Sequence, residues 1–247
     1  MKRLFLLFMF ISVAASANHQ PADSRYYELR IYYCHPGRLD ALVTRFQNHT
    51  TRLFEKHGMA NEGYWLPVNN EKNALYYILS YPSKEARDQS WKAFGSDPDW
   101  KKVQTESEAD GKIVESVVSV FMQYSDIVPL AGPSVNKEPR VFEMRTYTCL
   151  PNRLPNLITR FKDHTVKLFE KHGMENVGYF ESIEAAGQSK LVYLLAHASE
   201  AAAKQSWDGF RNDPAWVTAR DASEKDGKIV EKIESVYLVP LAFSKWK

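Results

Sequence analysis

The chain has 247 residues, of which 44% are apolar, 25% charged and 13% aromatic, with a formal charge of +2 at neutral pH. Lys2 and Arg3 supply that excess, since beyond residue 17 there are 30 basic residues facing 30 acidic ones. Such a balance leaves no basic stripe for nucleic acid and no polybasic patch for a membrane surface, and the composition is that of a folded, water-soluble protein.

Taken in chain order, the first element is an export signal. Lys2-Arg3 precedes an apolar run at 4–13, and Ala15-Ser16-Ala17 is a small-x-small cleavage site. Residues 1–17 are therefore expected to be a signal peptide, and the mature protein to be periplasmic or secreted. The run of 10 residues, nine of them apolar, is too short to span a bilayer, which takes about 20.

Residues 26–33 then alternate as a strand, with Tyr27, Leu29, Ile31 and Tyr33 on one face and Glu28, Arg30 and Tyr32 on the other. His35-Pro36-Gly37 breaks it. From 38 to 57 the apolar residues Leu39, Leu42, Val43, Phe46, Leu53 and Phe54 recur at three and four, which predicts an amphipathic helix closed by Gly58. Residues 63–68 and 74–81 form a predicted hairpin around a polar turn. Pro82-Ser83 opens a helix carrying Ala86, Trp91 and Phe94. Asp97-Pro98 is an N-cap with proline at N1 of a shorter helix ending at Asp110-Gly111. A β-branched strand at 113–121 completes the order βαββαβ.

A Pro- and Gly-containing linker at 125–140 follows, and then the pattern restarts. Leu53-Phe54-Glu55-Lys56-His57-Gly58-Met59 returns unaltered as Leu168 to Met174, and residues 27–64 share 23 of 38 positions with 142–179. The chain is thus a tandem repeat, with domains at 26–124 and 141–243. A βαββαβ unit is the split ferredoxin-like arrangement, an antiparallel sheet with both helices on one face. The other face is left bare, and each ~100 Å² of apolar surface buried is worth about 2.5 kcal/mol. Two copies remove that cost by packing sheet to sheet. The expected fold is α+β, two ferredoxin-like repeats forming a barrel with helices outside, an intramolecular equivalent of a dimer.

Glu28, Arg30 and Tyr32, with Glu143, Arg145 and Tyr147, are the leading ligand-binding candidates. Their spacing places each trio on one face, expected to be the face away from the amphipathic helix and hence the barrel interior. Glu115 and Glu231, on the last strands, are expected to join them. The alternative is a self-satisfied structural ion pair, and a register slip of one residue would send the trio into the helix layer. Trp91, Trp100, Trp207 and Trp216 fit helix-to-sheet packing, with an aromatic pocket as the alternative. His57 and His172 end their helices, where the dipole favours a positive charge. No metal-ligand spacing, phosphate loop or nucleophile motif is present, so no metal is expected. Cys34 and Cys149 occupy equivalent positions, to be bridged only if both lie near the pseudo-twofold axis and otherwise buried as free thiols.

Laid out this way, the sequence resembles the NIPSNAP family. The residues that carry the resemblance are Tyr27-Glu28-Leu29-Arg30, Pro36-Gly37-Arg38, Lys56-His57-Gly58-Met59, Gly63-Tyr64-Trp65 and Asp97-Pro98-Asp99-Trp100. They are echoed by Phe142-Glu143-Met144-Arg145, His172-Gly173-Met174 and Asp213-Pro214-Ala215-Trp216. The resemblance implies a dimeric α/β-barrel fold and transfers no catalytic residues. The wider barrel superfamily includes cofactor-free monooxygenases and haem enzymes, which makes an oxidoreductase, with haem as a minor cofactor option, the implied alternative. From the residues themselves the leading expectation is an exported protein binding a small, partly apolar ligand between its two sheets, without a cofactor. A non-catalytic interaction module with a filled barrel is the third reading, and a homo-oligomer is compatible with each of them.

Overall fold

The structure is a computed structural model that describes residues 23–130, 140–183 and 189–247. The signal peptide expected at 1–17 and most of the linker lie outside the described residues. Within them, no helix is long and apolar enough to cross a membrane.

The first copy runs β1 (Tyr26–Cys34), α1 (Leu39–Arg45), α2 (Thr51–Lys56), β2 (Ala60–Pro67), β3 (Ala74–Tyr81), α3 (Lys84–Ser96), α4 (Pro98–Ser107) and β4 (Val114–Tyr124). The second repeats it as β5 (Val141–Cys149), α5 (Leu154–Arg160), α6 (Val166–Lys171), β6 (Glu175–Ser182), β7 (Lys190–His197), α7 (Glu200–Arg211), α8 (Pro214–Ser223) and β8 (Val230–Pro240). The long first helix expected in each copy is present with one difference. A π-helical turn, Phe46–Thr50 in one copy and Phe161–Thr165 in the other, interrupts it. Thr50 and Thr165 donate their hydroxyls to the carbonyls five residues back, Arg45 O at 3.2 Å and Arg160 O at 3.1 Å, which supports the wider turn. Gly58, at φ +77°, ends α2 in the left-handed region that a side chain disfavours.

The described strands close into one barrel in the order β1-β3-β2-β8-β5-β7-β6-β4. Every pairing is antiparallel. Each copy contributes four neighbouring strands, and two short seams join them. At one, Trp65–Pro67 of β2 pair with Leu238–Pro240 of β8; at the other, Met122–Tyr124 of β4 pair with Phe180–Ser182 of β6. The two copies therefore share one closed sheet, as the bare-face argument requires.

Three cores result. One fills the barrel and draws on both copies, with Tyr27, Leu29, Trp65 and Ile78 meeting Phe142, Met144, Phe180 and Leu238. Trp246, 2% exposed, packs against Trp65 and Phe180 from the C-terminal end. Gly63 makes room for this packing, since a Cβ there would run into the Trp65 ring. The other two cores lie between each half of the sheet and its own helices. Cys34 and Cys149 are buried free thiols in those layers, so the bridge is not formed, and burial pushes both thiols up to about 11.

Candidate functional site

Glu28, Arg30 and Tyr32 lie on the helix side of β1, and Glu143, Arg145 and Tyr147 on the helix side of β5. The expectation that they line the barrel interior is corrected. The inner face of β1 is Tyr27, Leu29 and Ile31, and that of β5 is Phe142 and Met144. Alternation sorts the residues into the right two faces, but polarity does not mark which of the two is inner. In fact both faces are buried, and the charges sit under the helices because the helices supply partners for them.

Those partners are dense. Glu28, 0% exposed, accepts from Arg30 Nη1 at 2.5 Å, Arg87 Nε at 3.0 Å, Arg87 Nη2 at 2.9 Å, Trp91 Nε1 at 3.1 Å and Tyr81 Oη at 3.2 Å. The Arg30 guanidinium lies over Trp91, 4.3 Å from the ring centroid. Burial alone would raise the Glu28 carboxyl pKa, but the Arg87 hydrogen bonds and the Arg30 charge hold it below its ordinary value.

In the second copy Glu143 accepts from Arg145 Nη1 at 2.7 Å, Trp207 Nε1 at 2.6 Å and Ser235 Oγ at 2.6 Å, and contacts His197 Nε2 at 3.1 Å. His197 stands where Tyr81 does and Ala203 where Arg87 does. Burial opposes ionisation here too, yet the His197 contact, the Arg145 charge and the Ser235 and Trp207 bonds bring the carboxyl to about 2. Both glutamates are thus ionised, fully occupied and sealed from solvent. They tie the first strand of each copy to its third helix.

Glu115 and Glu231 do not join the trios. Each is exposed at a bulge, between Val114 opposite Cys34 and Ser116 opposite Tyr33, and between Val230 opposite Cys149 and Lys232 opposite Thr148. Glu115 instead borders a polar depression of about 350 Å³ with Glu71 and Lys72. His57 and His172 contact the caps of the short helices, Asp97 Oδ2 at 2.6 Å and Asp213 Oδ2 at 2.8 Å. His49 and His164 are exposed in the π-turns. No group of three or more His, Cys, Asp or Glu able to hold a metal occurs among the described residues.

Tyr32 leads from the trio into open space. It forms part of the wall of a cavity of about 330 Å³ beneath the helices of the first copy, with Phe46, Phe54, Phe94 and Trp100 as the other aromatic faces. The position of Trp100 follows from local rules. Asp97 caps α4 through a 2.8 Å bond from Asp99 N, Pro98 holds N1, and the first turn then carries Trp100 onto Phe94 at 4.4 Å between centroids. Lys56 and His57 fasten the same Asp97 to the end of α2, at 2.8 and 2.6 Å.

The polar groups of the pocket are few. Arg45, 5% exposed, lies 5.2 Å over the Trp100 ring and pairs with Glu108 Oε1 at 3.1 Å. Gln104 and Lys112 stand at the mouth. Thr50 reaches the wall through the π-turn, and Tyr32 receives a 3.3 Å hydrogen bond from Arg30 Nη2, so the buried ion pair fixes the orientation of one pocket wall. Aromatic walls with a few convergent polar groups are the ordinary make-up of a small-molecule site, and the volume falls at the lower end of the usual range of about 300–1,000 Å³.

The second copy keeps the frame with more buried walls, and the depression of about 390 Å³ that borders Arg160 and Ala219 there has no Phe, Tyr or Trp in its lining. Arg160 lies 5.3 Å over Trp216 and pairs with Glu224 at 3.4 Å. Tyr147 and Val230, however, are buried where Tyr32 and Val114 are half-buried, and Arg220 replaces Gln104.

Sequence reasoning passed over Arg45, Glu108 and Lys112. Their signal was available, because Arg160, Glu224 and Lys228 repeat them, and an arginine just before a buried phenylalanine in both copies calls for a partner. A second cluster was also missed. Tyr27 donates to Asp23 at 2.6 Å, and Arg25 and Ser80 both reach Glu62 Oε1 at 2.6 Å, at one end of the barrel. Their second-copy counterparts Phe142, Val177 and Ala196 are apolar, so the mismatch between copies marked it.

Comparison with known proteins gives a family and a fold. The family model described as NIPSNAP matches residues 27–128 and again 142–245. No curated protein matches the sequence. Among solved structures, a candidate monooxygenase from Fusobacterium nucleatum superposes with a TM-score of 0.59 at 10% identity, covering 88% of this chain and 93% of that one. One from Lactobacillus acidophilus gives 0.54 at 10% identity, with 88% and 94% covered. An anthrone oxidase-like protein gives 0.52 at 11% identity, with 89% and 92% covered. Identities this low show a shared fold.

Proposed function

The chain belongs to the NIPSNAP family and carries that domain twice, and from this premise we propose that it binds a small, partly apolar molecule in the aromatic pocket of its first copy. The observation that carries the reading is the space under Trp100, a defined cavity with five aromatic faces and one stacked arginine. The barrel interior, where a ligand was first expected, is occupied by Trp65, Phe142, Phe180 and Trp246. The site therefore moves from between the sheets to beneath the helices. The sequence supports placing this activity in the periplasm or outside the cell, after removal of the first 17 residues.

Native mass spectrometry of the whole mature protein purified from its source tests the proposal. One retained small molecule per chain is expected, lost in Trp100→Ala and in the pocket-filling Val117→Trp. A chain that carries no added mass, or keeps it in both variants, removes the reading.

The names of the structural neighbours favour a second reading, an oxidoreductase of the monooxygenase type acting on an aromatic substrate in the same pocket. Oxygen uptake with a hydroquinone, abolished by Val117→Trp, is the outcome it requires. An absorbance spectrum of the source-purified protein checks haem in the same sample, and a Soret band would overturn the cofactor-free expectation.

A further inference from the structure

The charges around the pocket do not cancel, and the imbalance selects among ligands. Glu108 is the acidic group in the wall, and it is committed to Arg45 at 3.1 Å. Arg45 is itself held by Ser107 Oγ at 3.2 Å and by the Trp100 face, with little exposure. That pair is neutral as a unit and structural in character. Lys112 remains. It is exposed at the mouth, and neither its ammonium nor the Gln104 side-chain amide has a partner among the described residues. The pocket thus presents an apolar, ring-lined body with a net positive mouth bearing one full charge and one neutral amide.

The second copy shows what a differently used mouth looks like. Lys228 stands at the place of Lys112, but Gln104 is replaced by Arg220, whose Nη2 lies 2.8 Å from Asp221. Its walls Tyr147 and Val230 are closed down to 8% and 7% exposure. Lys228, like Lys112, has no side-chain partner among the described residues, so what sets the first copy apart is the less buried wall and the unpaired Gln104 amide beside its lysine.

We infer that the first-copy pocket takes a monoanionic ligand, an aromatic or cyclic carboxylic acid, whose ring stacks under Trp100 and whose carboxylate is met at the mouth by Lys112 and Gln104. This rests on the proposal that the pocket is a binding site and adds the chemical class of its occupant. A hydrogen bond to a charged group counts for more when it is sheltered from water. At an exposed mouth it is closer to 1 kcal/mol, or about fivefold in affinity. A cationic ligand is disfavoured by the same charge, and a dianion would leave its second charge facing the aromatic walls without a partner.

The test uses two probes of one shape, 1-naphthoate and the neutral 1-naphthamide, titrated calorimetrically into the full mature chain at low and at physiological salt. The acid is expected to bind at least about fivefold more tightly than the amide, and the gap to shrink with salt. Lys112→Gln should bring the two probes to within about twofold of each other by weakening naphthoate more than naphthamide. Equal binding of both probes to the unaltered chain overturns the carboxylate assignment and leaves the pocket proposal standing. A preference for the acid that survives Lys112→Gln overturns it as well, because the selectivity then arises elsewhere. Absence of binding by either probe removes both the class and the pocket. Lys112 is exposed, so the variant folds, and Lys112→Arg serves as the conservative rescue that should restore the preference.

Discussion

The two copies place the same buried glutamate on the same strand and surround it differently. Glu28 faces two guanidinium groups and two neutral donors, whereas Glu143 faces one guanidinium, a histidine, a serine and a tryptophan. The pocket nearby differs in step, open beside Tyr32 and tighter beside Tyr147. A duplicated backbone therefore fixes where a charge is buried, and the helices packed over it decide how it is answered and how much room is left. One copy can be held for the stability of the barrel while the other keeps a cavity.

The largest expected effect comes from deleting the carboxylates. Glu28→Ala removes the carboxylate shared by Arg30 and Arg87, leaving Arg30 without its counter-charge and Arg87 with only the exposed Asp88 at 3.1 Å, and Glu143→Ala removes the carboxylate that Arg145 and His197 share. Breaking a buried pair in this way costs about 3–5 kcal/mol, and Glu28→Ala should be the costlier of the two. Urea midpoints at unchanged m-value measure both, and the reverse order would break the comparison.

The next effect is a pH dependence. The Glu143 carboxyl is lowered to about 2, below its ordinary value of 4.5. Because the folded value lies below the unfolded one, its contribution is fully present above about pH 5 and is lost as pH falls toward 2, a change of about 3 kcal/mol. Unfolding free energies measured from pH 7 down to pH 2 should show that loss, and Glu143→Gln should flatten that part of the curve.

Filling the cavities sharpens the comparison further. Val117→Trp should lower naphthamide affinity by about tenfold or more, while Ile233→Trp, the matching change in the second copy, should leave it within about twofold. Equal effects would mean that both copies bind. The smallest effect expected is at the π-turns. Thr50→Val and Thr165→Val each remove one buried hydroxyl bond, so each should cost about 1 kcal/mol by chemical denaturation, equally in the two copies.

The architecture was legible because the repeat and the βαββαβ order come from local signals: period-two strands, an amphipathic stripe, Asp-Pro caps and Gly58 in both copies. Sheet-to-sheet closure followed from the bare face, and the short β2–β8 and β4–β6 seams complete it. Alternation could not say which strand face is inner when both faces are buried. That depends on Arg87, Trp91 and Trp207 arriving from helices dozens of residues away, a non-local fact. The pocket was hidden for a similar reason, since Trp100, Arg45 and Lys112 converge only after α4 docks on α1. The clue that survives in one dimension is the mismatch between copies, as at Gln104 and Arg220.

The most direct measurement of the account is a crystal structure of the mature protein soaked with 1-naphthoate. One molecule is predicted under Trp100 in the first copy, with its carboxylate toward Lys112 and the barrel core still filled by Trp65 and Trp246. A naphthoate found inside the barrel, or seated under Trp216 with the first copy empty, would contradict it.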